Sequence, residues 1–377
     1  MTHRAEAALL CTLDPRLLAT VRDWDWLIAT ARVHGVLPRL ERMVRNANGA
    51  TPDPLRVELR ARARESADRT LRLTGELFRI LDAFTANGVR ALAYKGPTLA
   101  VLAYGDLALR PFRDLDIVVD PTDVATGRAL LERLGYHPDP LDPSCKHQSA
   151  FLAHGSECAY LREPDDIVEL HWRMLPPYFA MQIPFATLWE RRAAVSVGGR
   201  AVPTLAREDL VLALCAHGTH HRWDRLEWIA DIGRLLRPET GVNWRIVVER
   251  ARRLGGTRMV GLATRLAADL LATELPPACA TLARERAVAP LAAAVRAALF
   301  ARNPGPEGGL RVRLFQLRAH TRLRDRVRFL LQVVARPNQA DWAVVQLPNA
   351  LAPLYYLIRP LRLAAKYSAR LLQALVR

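Results

Sequence analysis

Arg110-Pro111-Phe112-Arg113-Asp114-Leu115-Asp116-Ile117-Val118-Val119 ends in an alternation of acidic and apolar residues followed by a β-branched run. Side chains two apart on a strand point to one face. Asp114 and Asp116 would therefore stand side by side at the start of a buried strand, where like charges are costly unless something positive lies between them. A divalent metal is the simplest such group. Upstream, Lys95-Gly96-Pro97 closes a short apolar strand expected over 89–94 and opens a helix over 98–104. A turn of this kind exposes backbone N–H groups that can receive a phosphate.

Downstream, Ile167-Val168-Glu169-Leu170-His171-Trp172 alternates again and puts Glu169 and His171 on one face. If this strand lies beside the first, Glu169 becomes a third carboxylate near the pair. One carboxylate at a strand edge is ordinarily just solvated. Three on two apolar strands after a Gly turn point to function.

The surrounding chain reads in four parts. Residues 1–88 are helical, with segments at 14–21 and 23–34, a short turn or helix at 38–44 and a long run over 55–87. Residues 89–205 form a mixed α/β core: the strands above, a helix from Asp120 to Leu134, short strands at 149–153 and 158–161, and a hairpin around Gly198-Gly199. Residues 206–302 are helical, with helices over 210–221 and 223–236. Asn303-Pro304-Gly305-Pro306-Glu307-Gly308-Gly309 then breaks the chain before a basic helical tail, 310–377, which opens with one helix over 310–334. The fold class expected is α+β, a small mixed sheet flanked by N-terminal helices and a large C-terminal helical region.

The chain has 377 residues, half of them hydrophobic, enough for two or three cores. No apolar run reaches the roughly 18 residues that span a bilayer, and residues 1–6 do not read as a signal peptide, so a cytoplasmic setting is expected. The five cysteines show no CxxC spacing and predict neither a disulfide framework nor a zinc site. Net charge is +16, of which +11 falls in residues 310–377, so the excess belongs to the tail, where it suits an anionic partner or membrane surface or a solvated helical face. Of 54 basic residues only Lys95, Lys146 and Lys366 are lysine. Lysine kept at 95 and 146 in so arginine-rich a chain suggests a need for a compact ammonium. His217 and His221, spaced i,i+4, offer a weaker metal reading; no HExxH accompanies them.

Taken in order, these blocks resemble the polymerase-β-like nucleotidyltransferase superfamily. Residues 92–119, the Val168-Glu169-Leu170-His171-Trp172 segment and the His217-Gly218, Trp223, Leu226 and Asp231 block resemble more narrowly a large bacterial group of uncharacterised nucleotidyltransferase-family proteins. The resemblance implies that Asp114 and Asp116 bind catalytic Mg²⁺ (or Mn²⁺) ions with Glu169 as the third acid, which helps to activate the incoming hydroxyl. It also implies that Lys95, Gly96, Thr98, Arg110 and Arg113 meet the nucleotide. Lys146, His171, His217 and His221, singled out above by composition and spacing, are candidate supporting groups around them. The turn is Lys-Gly-Pro where the superfamily has Gly-Gly or Gly-Ser, which leaves Thr98 to supply the hydroxyl. The implied activity moves NMP from an NTP such as ATP to a hydroxyl or phosphate acceptor. A peptide or small-molecule acceptor ranks above RNA, the substrate of a toxin-like tRNA/RNA enzyme. The alternative is a non-catalytic binding module.

Overall fold

The computed structural model describes residues 3–47, 51–140, 155–301, 310–335, 345 and 354–375, with side chains to Ala365. Helices α1 (Arg4–Thr12), α2 (Trp24–Val33), α3 (Leu37–Asn46) and α4 (Asp53–Ala86) lead into β1 (Ala91–Ala93), α5 (Gly96–Tyr104), β2 (Asp114–Val119) and α6 (Val124–Arg133). β3 (His137–Pro138), β4 (Glu157–Arg162) and β5 (Asp166–His171) complete a five-stranded sheet in the order β1-β2-β5-β4-β3. α7 (Phe185–Glu190) precedes a hairpin, β6 (Ala193–Val197) and β7 (Arg200–Thr204), whose Gly198-Gly199 turn takes positive φ at both centres, as a type I′ loop requires. The rest is helical: α8 (Arg207–His220), α9 (Leu226–Leu235), α10 (Trp244–Leu254), α11 (Thr257–Leu271), α12 (Pro277–Arg284), α13 (Ala289–Leu299), α14 (Leu310–Ala319), α15 (Leu323–Ala335) and α16 (Tyr355–Leu375).

β2 is parallel to β5, with Asp116 paired to Glu169, and antiparallel to β1; β4 is antiparallel to β5, with Glu157 paired to His171. The alternation read from the sequence divides the sheet's two faces between two hydrophobic cores. Leu115, Ile117 and Val119 pack with Phe84, Leu131 and Leu170 on one side. Val118, Leu92 and Tyr94 face the other core, built on α8, α9 and α11. Asp114 and Asp116 share the Val118 face and so look toward the helical region. α8 is buried around most of its circumference, from Leu210 to Ala216, as expected of a central helix.

Three expectations need correction. The basic helix expected over 310–334 is two helices, broken at 320–322 where His320 is buried: its Nδ1 lies 2.7 Å from the Gln316 carbonyl and its Nε2 accepts the Ala180 N–H at 3.4 Å. The helix expected from Trp223 begins only at Leu226, because Arg222 and Trp223 both adopt left-handed φ near +57° and cannot open a right-handed helix. Cys158 is disulfide-bonded, while Cys11, Cys215 and Cys279 are free. The tail's first two helices dock on the protein, with Phe315, Ala319 and Phe329 in the helical core. The strand expected over 149–153 lies outside the described residues.

Gly218 has a packing reason. The buried indole of Trp223 crosses it so closely that a Cβ there would lie 2.7 Å from three ring atoms. Gly218→Ala is therefore expected to destabilise the protein by about 1–3 kcal/mol, as overpacking does. Gly75→Ala, where a Cβ on the exposed face of α4 would meet nothing within 4 Å, should stabilise it by about 0.5–1 kcal/mol. Urea midpoints moving in the same direction would contradict both accounts.

The end of α2 docks on α9 through His34, whose Nδ1 accepts the Leu226 N–H at 3.2 Å and whose carbonyl accepts the Glu227 N–H at 3.1 Å. Burial, reinforced by the Arg225 charge, holds the imidazole down at about 4. The unfolded chain takes up this proton near the ordinary value of 6.5, so the contribution is whole above 6.5 and declines as pH falls through 4, by roughly 3 kcal/mol in all. His34→Asn keeps an acceptor for Leu226 and does not titrate. Its unfolding free energy should fall less than wild type between pH 7 and pH 4, and parallel losses would refute the linkage.

Candidate active site

The Lys-Gly turn is fixed by backbone conformation. Gly96 sits at φ +50°, in the left-handed region, while a Cβ there would find only ordinary contacts, so torsion rather than space calls for glycine. Thr98 is fully buried, and its hydroxyl donates to the carbonyls of Lys95 at 2.9 Å and Ala93 at 3.3 Å. It is thereby committed to holding the turn. The Lys95 side chain leaves this turn to reach Asp116, Nζ lying 2.7 Å from Oδ1.

Asp116 is the centre of the site, its side chain only 1 % exposed. Its Oδ1 also lies 3.3 Å from His171 Nε2, whereas Oδ2 is buried with no hydrogen-bond partner. His171 Nε2 is 3.2 Å from Glu169 Oε2, and Nδ1 is 3.1 Å from Glu157 Oε2. Among the described residues, Asp116, Glu169 and His171 form the group whose ligand atoms all lie within 4.8 Å of one another. Asp114 stands outside that trio but on the same cleft wall.

Electrostatics reflect the crowding. Burial, followed by the charges of Asp116 and Glu169, pushes the Asp114 carboxyl up to about 7. Burial opposes ionisation of Asp116 as well, but the Lys95 and His171 charges hold it well below the usual carboxylate range. Burial likewise works against a charged His171, and Glu157, Asp116 and Glu169 outweigh it, raising its pKa well above the ordinary value.

These groups line a cleft of about 730 Å³ between the sheet, α4 and the helical region. Arg113 is exposed in it. His217 and His221 stand on the α8 wall with rings 4.7 Å apart. Burial first, then neighbouring cations, keeps both neutral, His221 down at about 3. Arg110 borders the cleft, but its Nε is bound to both Asp231 oxygens at 3.0 Å, and Tyr104 donates to the same carboxylate at 2.9 Å. This buried pair ties the loop before β2 to α9. Lys146 lies outside the described residues.

Glu157 was missed in the sequence, where a lone acid before Cys158 carries no motif. Its signal was two-residue alternation, which buries Cys158 and Tyr160 on the opposite face and turns Glu157 toward His171.

The chain is a member of the family described as uncharacterised nucleotidyltransferase, which matches residues 20–272. Its enzymatic class is therefore nucleotidyl transfer. No curated protein matches the chain. Among solved structures it is similar to the lincosamide antibiotic adenylyltransferase LnuA in its lincomycin-bound form, at 20% identity over 37% of this chain and 83% of that one, with a TM-score of 0.27.

Removing one partner of the Arg110–Asp231 pair strands a buried charge. Asp231→Asn is expected to cost about 3–5 kcal/mol, while the double change Arg110→Met/Asp231→Leu should recover most of it. Equal losses in the single and double variants on chemical unfolding would exclude this account.

Proposed function

We propose that this protein transfers a nucleoside monophosphate from an NTP to a hydroxyl or phosphate group of a peptide or small-molecule acceptor. The observation that carries the reading is the convergence of Asp116, Glu169 and His171 beside the Lys95-Gly96 turn, in one cleft with Asp114. The cleft volume, about 730 Å³, suits a nucleotide with part of an acceptor.

The residues fit a divalent cation. The buried, unpartnered Asp116 Oδ2 lacks a positive partner, and the neighbouring donors are chiefly carboxylate oxygens, which favour hard ions such as Mg²⁺ or Mn²⁺. Asp114, Asp116 and Glu169 would hold it. Such an ion supplies charge neutralisation at the reacting phosphate and acidifies an acceptor hydroxyl.

The chain's own groups divide the remaining work. The Gly96 turn presents backbone N–H groups to the phosphates, and exposed Arg113 adds positive charge on the side from which the triphosphate enters. The acceptor oxygen attacks the α-phosphorus. A bond forms there as the bond to the β-phosphate oxygen breaks, and pyrophosphate departs. Glu169, 30 % exposed and facing the cleft, receives the acceptor's proton. The neutral histidines and Trp228 give the acceptor a partly aromatic surface, bordered by Asp224, Arg225 and Glu227.

Incubation with each α-³²P-NTP, Mg²⁺ or Mn²⁺ and candidate acceptors should transfer label, with Asp114→Ala/Asp116→Ala reducing the rate at least 10³-fold. Undiminished labelling by the double variant would remove these residues from catalysis. Failure with every nucleotide and acceptor would favour a binding module.

A further inference from the structure

We propose that Lys95 serves as a built-in second cation, so that the nucleotide-free protein takes up one divalent ion rather than two. This deepens the reading above and rests on it. In two-metal sites the ions lie about 3.5–4 Å apart, and a carboxylate that bridges them through its separate oxygens needs both oxygens free of other cations. Asp116 is the residue placed for bridging, central in the cluster and paired in register with Glu169. Its two oxygens are not equivalent. Oδ1 already receives the Lys95 ammonium at 2.7 Å and His171 Nε2 at 3.3 Å, while Oδ2, equally buried, receives nothing. Oδ2 is thus open to a cation, whereas the Oδ1 side already holds the covalently attached charge of Lys95.

The ammonium is not there by chance flexibility. Left-handed Gly96 and the two hydrogen bonds of buried Thr98 fix the turn that carries Lys95, and its side chain is 12 % exposed over the Tyr94 ring. The residue type fits the role. A compact ammonium can address a single carboxylate oxygen and leave its twin free, whereas the planar fork of arginine favours engaging both. The chain uses arginine at 51 of its 54 basic positions and lysine here.

The test counts Mn²⁺ bound to the full-length protein without nucleotide, reading free Mn²⁺ by electron paramagnetic resonance. Wild type should hold one tightly bound ion per chain. Lys95→Met, with Lys95→Gln as a second variant should the first misfold, should hold two or bind the single ion at least tenfold tighter, since a competing cation is gone. Asp116→Asn should abolish tight binding. Two ions on the wild-type protein, or weaker or unchanged Mn²⁺ binding in the Lys95 variants, would overturn the role of Lys95 while leaving the metal site standing. No tight Mn²⁺ on wild type would overturn both this inference and the metal-dependent reading beneath it.

Discussion

Repulsion among carboxylates on one sheet face is the constraint to which the other parts of the site respond. Register alone brings Asp116 beside Glu169 and Glu157 beside His171, and Asp114 follows on the same face. Such a cluster persists only where cations reach it. Lys95 arrives from the β1–α5 turn and His171 from β5 itself. The glycine at 96, the buried hydroxyl of Thr98 and the short β1 strand therefore have an electrostatic purpose as well as a conformational one.

The helical region closes the site from the opposite side. α8 supplies neutral histidines, α9 anchors the loop ahead of β2 through Asp231, and α2 meets α9 at His34. Elements more than a hundred residues apart thus determine where Arg110 and, with it, the start of β2 can lie. Stability and site geometry are carried by the same contacts, so substitutions at Arg110 or Asp231 will not report on chemistry alone.

Much of this was legible in the sequence wherever a period decided the structure. The Asp114–Val119 alternation specified a strand with matching bounds, Glu169 and His171 fell on the expected face, and Gly198-Gly199 marked the hairpin. What could not be read were choices made by tertiary packing. Nothing local shows that Thr98 turns onto the backbone, that Arg110 answers Asp231 across 121 residues, or that Glu157 joins the cluster. The break at His320 reflects the same blindness, because its neighbours continue a helical pattern while His320 and Thr321 make tertiary contacts with Ala180, Thr257 and Arg258.

The long helix α4 has a mechanical consequence. Its 34 residues span about 50 Å. Its first half enters the helical core through Leu59, its second half enters the other core through Leu73 to Phe84, and Arg62, Ser66 and Arg69 between them border the cleft. A rod seated in both cores ties the two walls of the cleft together, so that parting them requires α4 itself to bend.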